Sequence, residues 1–314
     1  MSDQRPIDER SLAVIGFGEA GRILAGGLHA SGRFDVCVYD ILVGDPGARG
    51  PLIAAAVERH VTMAESHREA IHGARIIVSA VTAAASTDVA REAASNLTPG
   101  QIFADLNSVS PGTKRANAKL IEGAGGHYVD VAVMAPIPPY GLKVPILLGG
   151  SSAADLAARL SPAGMNFEIV ANDIGTASAI KMCRSVMIKG MEALVVESLL
   201  GARHYGVEDR VLASLEETFP HMKWDARADY LVSRVVVHGR RRAAEMREAA
   251  VTIREAGLEP FMASATARCQ DRISDIVDSG KVSHAVGSDF SWRAFADAVA
   301  ARSILPMRPP RSGH

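Results

Sequence analysis

The sequence predicts an α/β domain built on a doubly wound, mostly parallel sheet, followed by an all-α C-terminal domain. Three observations predict it. Short β-rich runs alternate with helical stretches through the first half of the chain, and a glycine-rich turn joins the first run to the first helix. Beyond about Asn172 the β signal stops and only helical spacing continues. The domains are therefore placed at residues 1–172 and 173–314.

Each element follows from its residues. Leu12–Ile15 reads as the first strand, and a helix follows the glycine turn from about Gly21 to His29. Asp35–Tyr39, Ile76–Val81 and Gln101–Leu106 read as buried strands, with helical stretches near Thr87–Asn96 and Lys114–Glu122. Tyr128–Val133, Ile146–Leu148 and Phe167–Val170 are the later strands. Gly175–Leu200 is too long for one strand and spaces Ile180, Val186 or Met187, Met191 and Leu194 for helical burial. Further helices are expected at Val211–Thr218, Ala226–His238, Ala243–Ala256 and Phe261–Asp278. Gly201, Gly239, Gly257 and Gly280 serve as stops. The proline-rich end, Pro306–His314, reads as a frayed tail.

Composition narrows the function classes. The 314 residues are 48% hydrophobic and 22% charged, which is ordinary for a folded globular chain. A formal net charge of -1 gives no electrostatic case for nucleic acid or an anionic membrane. Cys37, Cys183 and Cys269 are odd in number and far apart, so neither a disulfide framework nor a zinc cluster is suggested. No histidine pair has ligand spacing with supporting carboxylates, so no metal is expected. The polar start lacks the apolar run of a signal peptide, and five charges interrupt Gly175–Leu200, which excludes a membrane span there. The expected location is cytoplasmic.

The string Gly16-Phe17-Gly18-Glu19-Ala20-Gly21 sits directly after the strand Leu-Ala-Val-Ile and opens a helix. The first glycine permits a tight turn, the second lets backbone approach a pyrophosphate, and the third allows close helix–strand packing. In that context the string is a Rossmann fingerprint for a nicotinamide dinucleotide. Asp40 closes the second strand, where a carboxylate accepts hydrogen bonds from ribose hydroxyls and repels a 2′-phosphate. NAD is favoured over NADP; Arg49 is the candidate partner that would admit the phosphate. Val81 and Thr82, ending the fourth strand, are expected to line the cofactor crevice through their backbone.

Three further strings follow in order: Asp105-Leu106-Asn107-Ser108-Val109-Ser110-Pro111, then Asp130-Val131-Ala132-Val133-Met134-Ala135-Pro136, then Gly175 followed by Lys181. With the glycine loop they resemble the β-hydroxyacid dehydrogenases, relatives of 3-hydroxyisobutyrate and 6-phosphogluconate dehydrogenases. The helical domain, with Lys181–Gly190, is similar to a divergent, phosphogluconate dehydrogenase-like branch. The resemblance implies an oxidoreductase in which Lys181 exchanges a proton with the substrate hydroxyl as hydride passes to or from the nicotinamide. It also implies a homodimer through the helical domains. Periodicity alone favours helix-surface lysines at Lys181 and Lys189; the motif favours catalysis at Lys181. Helical spacing places Lys181, Ser185 and Lys189 on one face. Asn107 and Ser108 follow a strand's carboxyl end and touch nicotinamide ribose or substrate, or else serve as turn residues before Pro111.

The departures bear on the substrate, a small molecule. Where the family offers Ser-Gly-Gly to a carboxylate, Met134-Ala135-Pro136 lacks the hydroxyl and one N–H, which makes the pocket more apolar. The family asparagine is Ser185 here, and the later Lys-Asp pair corresponds to Ala244-Glu245. Arg184 and Lys189 are alternative anion partners; the cluster at His238 and Arg240–Arg242 is either a further one or, as its pattern slightly favours, a solvated helix start. A bulky or aromatic β-hydroxy acid suits this loop, with decarboxylation after oxidation left open. An imine reductase and a cofactor-binding scaffold without turnover are the competing readings.

Overall fold

In the computed structural model, residues 6–280, 282 and 287–301 are described; the expected tail at Pro306–His314 lies outside them. Eight strands form one sheet: β1 (Asp8–Ile15), β2 (Asp35–Tyr39), β3 (Thr62–Met63), β4 (Ala74–Ser79), β5 (Ile102–Asp105), β6 (His127–Val133), β7 (Pro145–Gly149) and β8 (Asn166–Ala171). Their order is β3-β2-β1-β4-β5-β6-β7-β8, and every pair is parallel except β6 with β7. The connection reverses direction at β1, where doubly wound sheets open a crevice at their carboxyl ends.

Alternation within the strands explains the two covered faces. Leu12, Val14, Ile76, Val78, Ile102 and Ala104 face one apolar layer, and Ala13, Ile15, Ile77 and Phe103 face the other. Helices cover both: α1 (Glu19–Ala30), α2 (Pro46–Glu58), α3 (His67–Ile71), α4 (Ser86–Asn96), α5 (Pro111–Gly123) and α6 (Ala153–Leu160). The α2 helix has no counterpart among the expected elements. Here Asp45 accepts from Gly47 N–H and Ala48 N–H while Pro46 occupies the first helical position, so these residues start a helix.

Beyond β8 the described residues are helical: α7 (Thr176–Tyr205), α8 (Glu208–Thr218), α9 (Trp224–Glu255), α10 (Phe261–Asp278) and α11 (Trp292–Ala300). Two compact units, Met1–Cys183 and Arg184–His314, divide within α7, later than the expected boundary between β8 and α7. Two expected stops are overturned. Gly201 lies inside α7, where burial of Leu199 and Ala202 carries the helix on to Tyr205. Gly239 lies inside α9, so Ala226–His238 and Ala243–Ala256 are one helix. A Cβ at Gly239 would sit 2.5 Å from Ser274 Oγ and 2.9 Å from Gln270 O. The glycine is there for close packing against α10. The second unit's core gathers Val196, Leu199, Val232, Val235, Ile273, Trp292 and Phe295 from α7, α9, α10 and α11. No helix among the described residues is long and apolar enough to cross a membrane.

Candidate active site

The first unit's site grows from one row of paired residues. Tyr39, Ile15, Ser79, Asp105, Asp130 and Gly149 are successive partners across β2, β1, β4, β5, β6 and β7. The chain leaving this row on β1, β2, β4 and β5 is Gly16, Asp40, Ala80 and Leu106, so sheet register brings distant motifs to one edge.

Gly16 turns at φ +94°, and a Cβ there would lie 2.5 Å from Ala80 O; Gly21 would meet Gly16 O at 1.9 Å. Both positions exclude a side chain. A Cβ on Gly18 would meet nothing within 4 Å, and no side chain caps the helix it starts. An open helix N-terminus beside a bare glycine fits the pyrophosphate of a dinucleotide. Asp40 completes the turn: Phe17 N–H donates to its Oδ2 at 2.8 Å and Leu42 N–H to its Oδ1 at 3.0 Å. Phe17 is buried, whereas Glu19 is exposed and Ala20 half-buried. Arg49, the candidate phosphate partner, is engaged instead by both carboxylate oxygens of Glu65, at 2.8 and 2.6 Å.

On the other side of the crevice, Val81 N–H donates to Asn107 Oδ1 at 2.7 Å, and Asn107 Nδ2 donates to Ser79 and Ser86 hydroxyls. Asn107 is buried and ties the β4 loop to the β5 loop; Thr82 is exposed. The next residue, Ser108, accepts from Lys181 Nζ at 2.7 Å. Both are half-buried. The substrate-loop residues follow β6: Met134 N–H donates to Pro145 O at 2.9 Å, Ala135 packs on the core, and Pro136 is exposed. An anion would find neither a hydroxyl nor the Met134 N–H available there.

Sequence reasoning missed a buried charged cluster beneath this edge. Lys114 Nζ donates to Asp105 O at 2.5 Å and lies 3.1 Å from Asp105 Oδ1 and 3.6 Å from Asp130 Oδ1. Tyr128 OH donates to Asp105 Oδ2 at 2.6 Å, and burial, with the Asp105 charge, pushes its phenol well above the usual tyrosine range. The one available signal was a carboxylate inside each apolar strand, since a buried charge requires a partner.

In the second unit, Ser185 and Lys189 do come together. Lys189 Nζ donates to Ser185 Oγ at 3.1 Å and pairs with Glu245 Oε2 at 2.7 Å. Burial lowers the Lys189 ammonium from its usual range, against the pull of Glu245. The neighbouring Arg242–Glu192 pair is buried as well, and burial raises the Glu192 carboxyl despite the guanidinium. Arg240 pairs with Asp275 and Asp278, and Arg241 with Glu245. Arg184 is exposed.

A doubly wound sheet with this glycine turn and carboxylate is a nicotinamide-dinucleotide-binding fold joined to a helical unit. Residues 11–136 match the NAD binding domain of 6-phosphogluconate dehydrogenase, and residues 202–273 match a domain of unknown function (DUF1932). A conserved hypothetical protein of Sinorhizobium meliloti is 41% identical, with a TM-score of 0.74, covering 94% of this chain and 97% of that one. A conserved protein of unknown function, described as structurally similar to 3-hydroxyacid dehydrogenases, is 32% identical, with a TM-score of 0.67 and coverage of 86% and 99%. The Mycobacterium tuberculosis 3-hydroxyisobutyrate dehydrogenase shares the fold at 16% identity, with a TM-score of 0.66 and coverage of 92% and 99%. The chain belongs to the 3-hydroxyacid dehydrogenase-like family, in a divergent branch that carries the domain of unknown function.

Proposed function

We propose that the chain is an NAD-dependent oxidoreductase that moves hydride between a 3-hydroxy acid, or a related β-hydroxy compound, and the nicotinamide, with Lys181 as general acid and base. The observation that carries this reading is the 2.7 Å contact of Lys181 Nζ with Ser108 Oγ, in the unit that holds the glycine loop and Asp40. The nicotinamide supplies the hydride acceptor or donor when bound. Lys181 takes the hydroxyl proton at Nζ in oxidation and returns one in reduction, while Ser108 keeps that nitrogen in place. Gly18 and the start of α1 hold the pyrophosphate, and Asp40 takes the ribose hydroxyls.

Two features support the finer choices. A carboxylate at Asp40 together with an Arg49 already bound to Glu65 favours NAD over NADP. The Met134-Ala135-Pro136 loop, with its Met134 N–H spent on Pro145, favours a bulkier and more apolar acid than a short aliphatic one.

The test follows reduced nicotinamide across 3-hydroxy acids from small aliphatic to aryl-substituted, with cyclic imines offered in reverse. Turnover with NAD is expected, and Lys181→Ala should lower kcat by about 10²- to 10⁴-fold while the NAD Kd holds. Unchanged turnover in that variant would remove Lys181 from the mechanism. Turnover of imines alone would reassign the reaction.

A further inference from the structure

We infer that Lys114 is the positioning residue that sets the Lys181–Ser108 geometry, acting through Asp105 and Asp130. The inference rests on the role proposed for Lys181. Asp105, Asn107, Ser108, Lys114, Asp130, Gly175, Ser178 and Lys181 all lie in the first unit.

Each partner of the Lys181–Ser108 contact hangs on its own buried carboxylate. Asp130 holds the lysine's helix: its Oδ2 accepts from Gly175 N–H at 3.1 Å, Ser178 N–H at 3.0 Å and Ser178 Oγ at 3.1 Å. The carboxylate of a strand thus caps the first turn of α7, and Lys181 stands three residues beyond Ser178, on the same side of that helix. Asp105 holds the serine's loop: its Oδ1 accepts from Asn107 N–H at 2.8 Å, one residue before Ser108.

Lys114 joins the two. Its ammonium lies against Asp105 Oδ1 and Asp130 Oδ1, with 1% of the lysine and none of either aspartate exposed. No hydrogen-bond donor serves Asp130 Oδ1, so the lysine's charge is what balances that oxygen. Buried carboxylates need a charged or hydrogen-bonding partner, and this one ammonium reaches both. The lysine therefore ties Asp105 to Asp130, and so keeps helix and loop at the separation that the Lys181–Ser108 contact requires. A lysine that served stability alone would leave the chemistry of Lys181 unaltered.

Competitive acetylation reads the position of Lys181 without any substrate. Trace acetic anhydride is applied to the full chain, and labelling of Lys181 is quantified by mass spectrometry against exposed Lys143. Lys114→Met, Asp130→Asn and Ser178→Ala are compared with Leu156→Ala, which loosens the core on α6 without touching this cluster. Lys181 labelling is expected to rise about threefold or more in the cluster variants, as loss of a hydrogen bond of ordinary strength frees the amine, and to stay level in Leu156→Ala. Superimposable labelling in the folded cluster variants, or an equal rise in Leu156→Ala, overturns the inference. Should Lys114→Met fail to fold, Ser178→Ala removes only one hydroxyl, and its labelling decides the matter alone. The proposed reaction fails separately, through unchanged turnover in Lys181→Ala.

Discussion

Asp40 joins a place in the fold to the cofactor choice proposed for it. Its carboxylate receives Phe17 N–H and Leu42 N–H, which shapes the turn, and presents negative charge where an adenosine ribose would lie. Asp40→Asn keeps an acceptor oxygen and removes the charge. The ratio of NADPH to NADH Kd, measured by cofactor fluorescence, should fall about tenfold, or about 1.4 kcal/mol; an unchanged ratio would detach Asp40 from cofactor choice. Tyr128 supplies a pH-dependent case. Its phenol is raised in the fold, so its contribution is complete below the ordinary tyrosine pKa of about 10 and is lost as pH climbs toward the higher folded value. Tyr128→Phe should cost about 1–3 kcal/mol near neutrality, by leaving Asp105 short of a donor. Urea titrations should show less alkaline loss of stability in that variant than in the wild type. The glycines and Asp40 were legible because their roles are local, set by a turn and a strand end. Lys114 was not, since both its partners come from strands and nothing in the pattern of α5 sets it apart from an exposed lysine.

Glycine has opposite meanings in two of the long helices. Gly239 lies where α9 and α10 cross closely, and Gly201 lies exposed in α7 with nothing within 4 Å of a built Cβ. Gly239→Ala should destabilise by about 1–3 kcal/mol through overpacking. Gly201→Ala should be neutral, or stabilising by up to about 1 kcal/mol, from helix propensity. Denaturant midpoints of the two variants check the contrast, and equal shifts would refute it. Most strands were legible from their apolar runs; Asp35–Tyr39 has the bounds its sequence predicts. The two-residue β3 and the capped helix α2 were not, because neither carries an apolar period long enough to register.

At the scale of the whole molecule, the sheet's reversal at β1 gathers the glycine turn, the Asp40 carboxylate and the Ser108 loop along one edge. The second unit leaves large apolar side chains in solvent: Met187 at 67% and Leu194 at 57% exposure on α7, Tyr230 at 60% and Val237 at 49% on α9. Their seven-residue spacing makes a stripe on each helix. Pairing of two chains through these stripes is the state we propose, and light scattering should return twice the 33.1 kDa chain mass. Leu194→Glu with Val237→Glu should shift the particle to one chain; a monomeric wild type would sink the proposal.

By itself, the sequence determined the doubly wound sheet, the glycine turn with its carboxylate, and the helical character of everything after the last strand. Those properties follow from side-chain period, backbone freedom and hydrogen-bond capacity within short windows of chain. Only the tertiary structure decided that Arg49 belongs to Glu65, that Gly239 packs rather than stops, that Lys189 belongs to Glu245, and that Lys114 joins Asp105 to Asp130. In each case the partner lies outside the residue's own helix. For Lys189 and Lys114, burial, by removing water as the competing partner, is what makes that pairing matter.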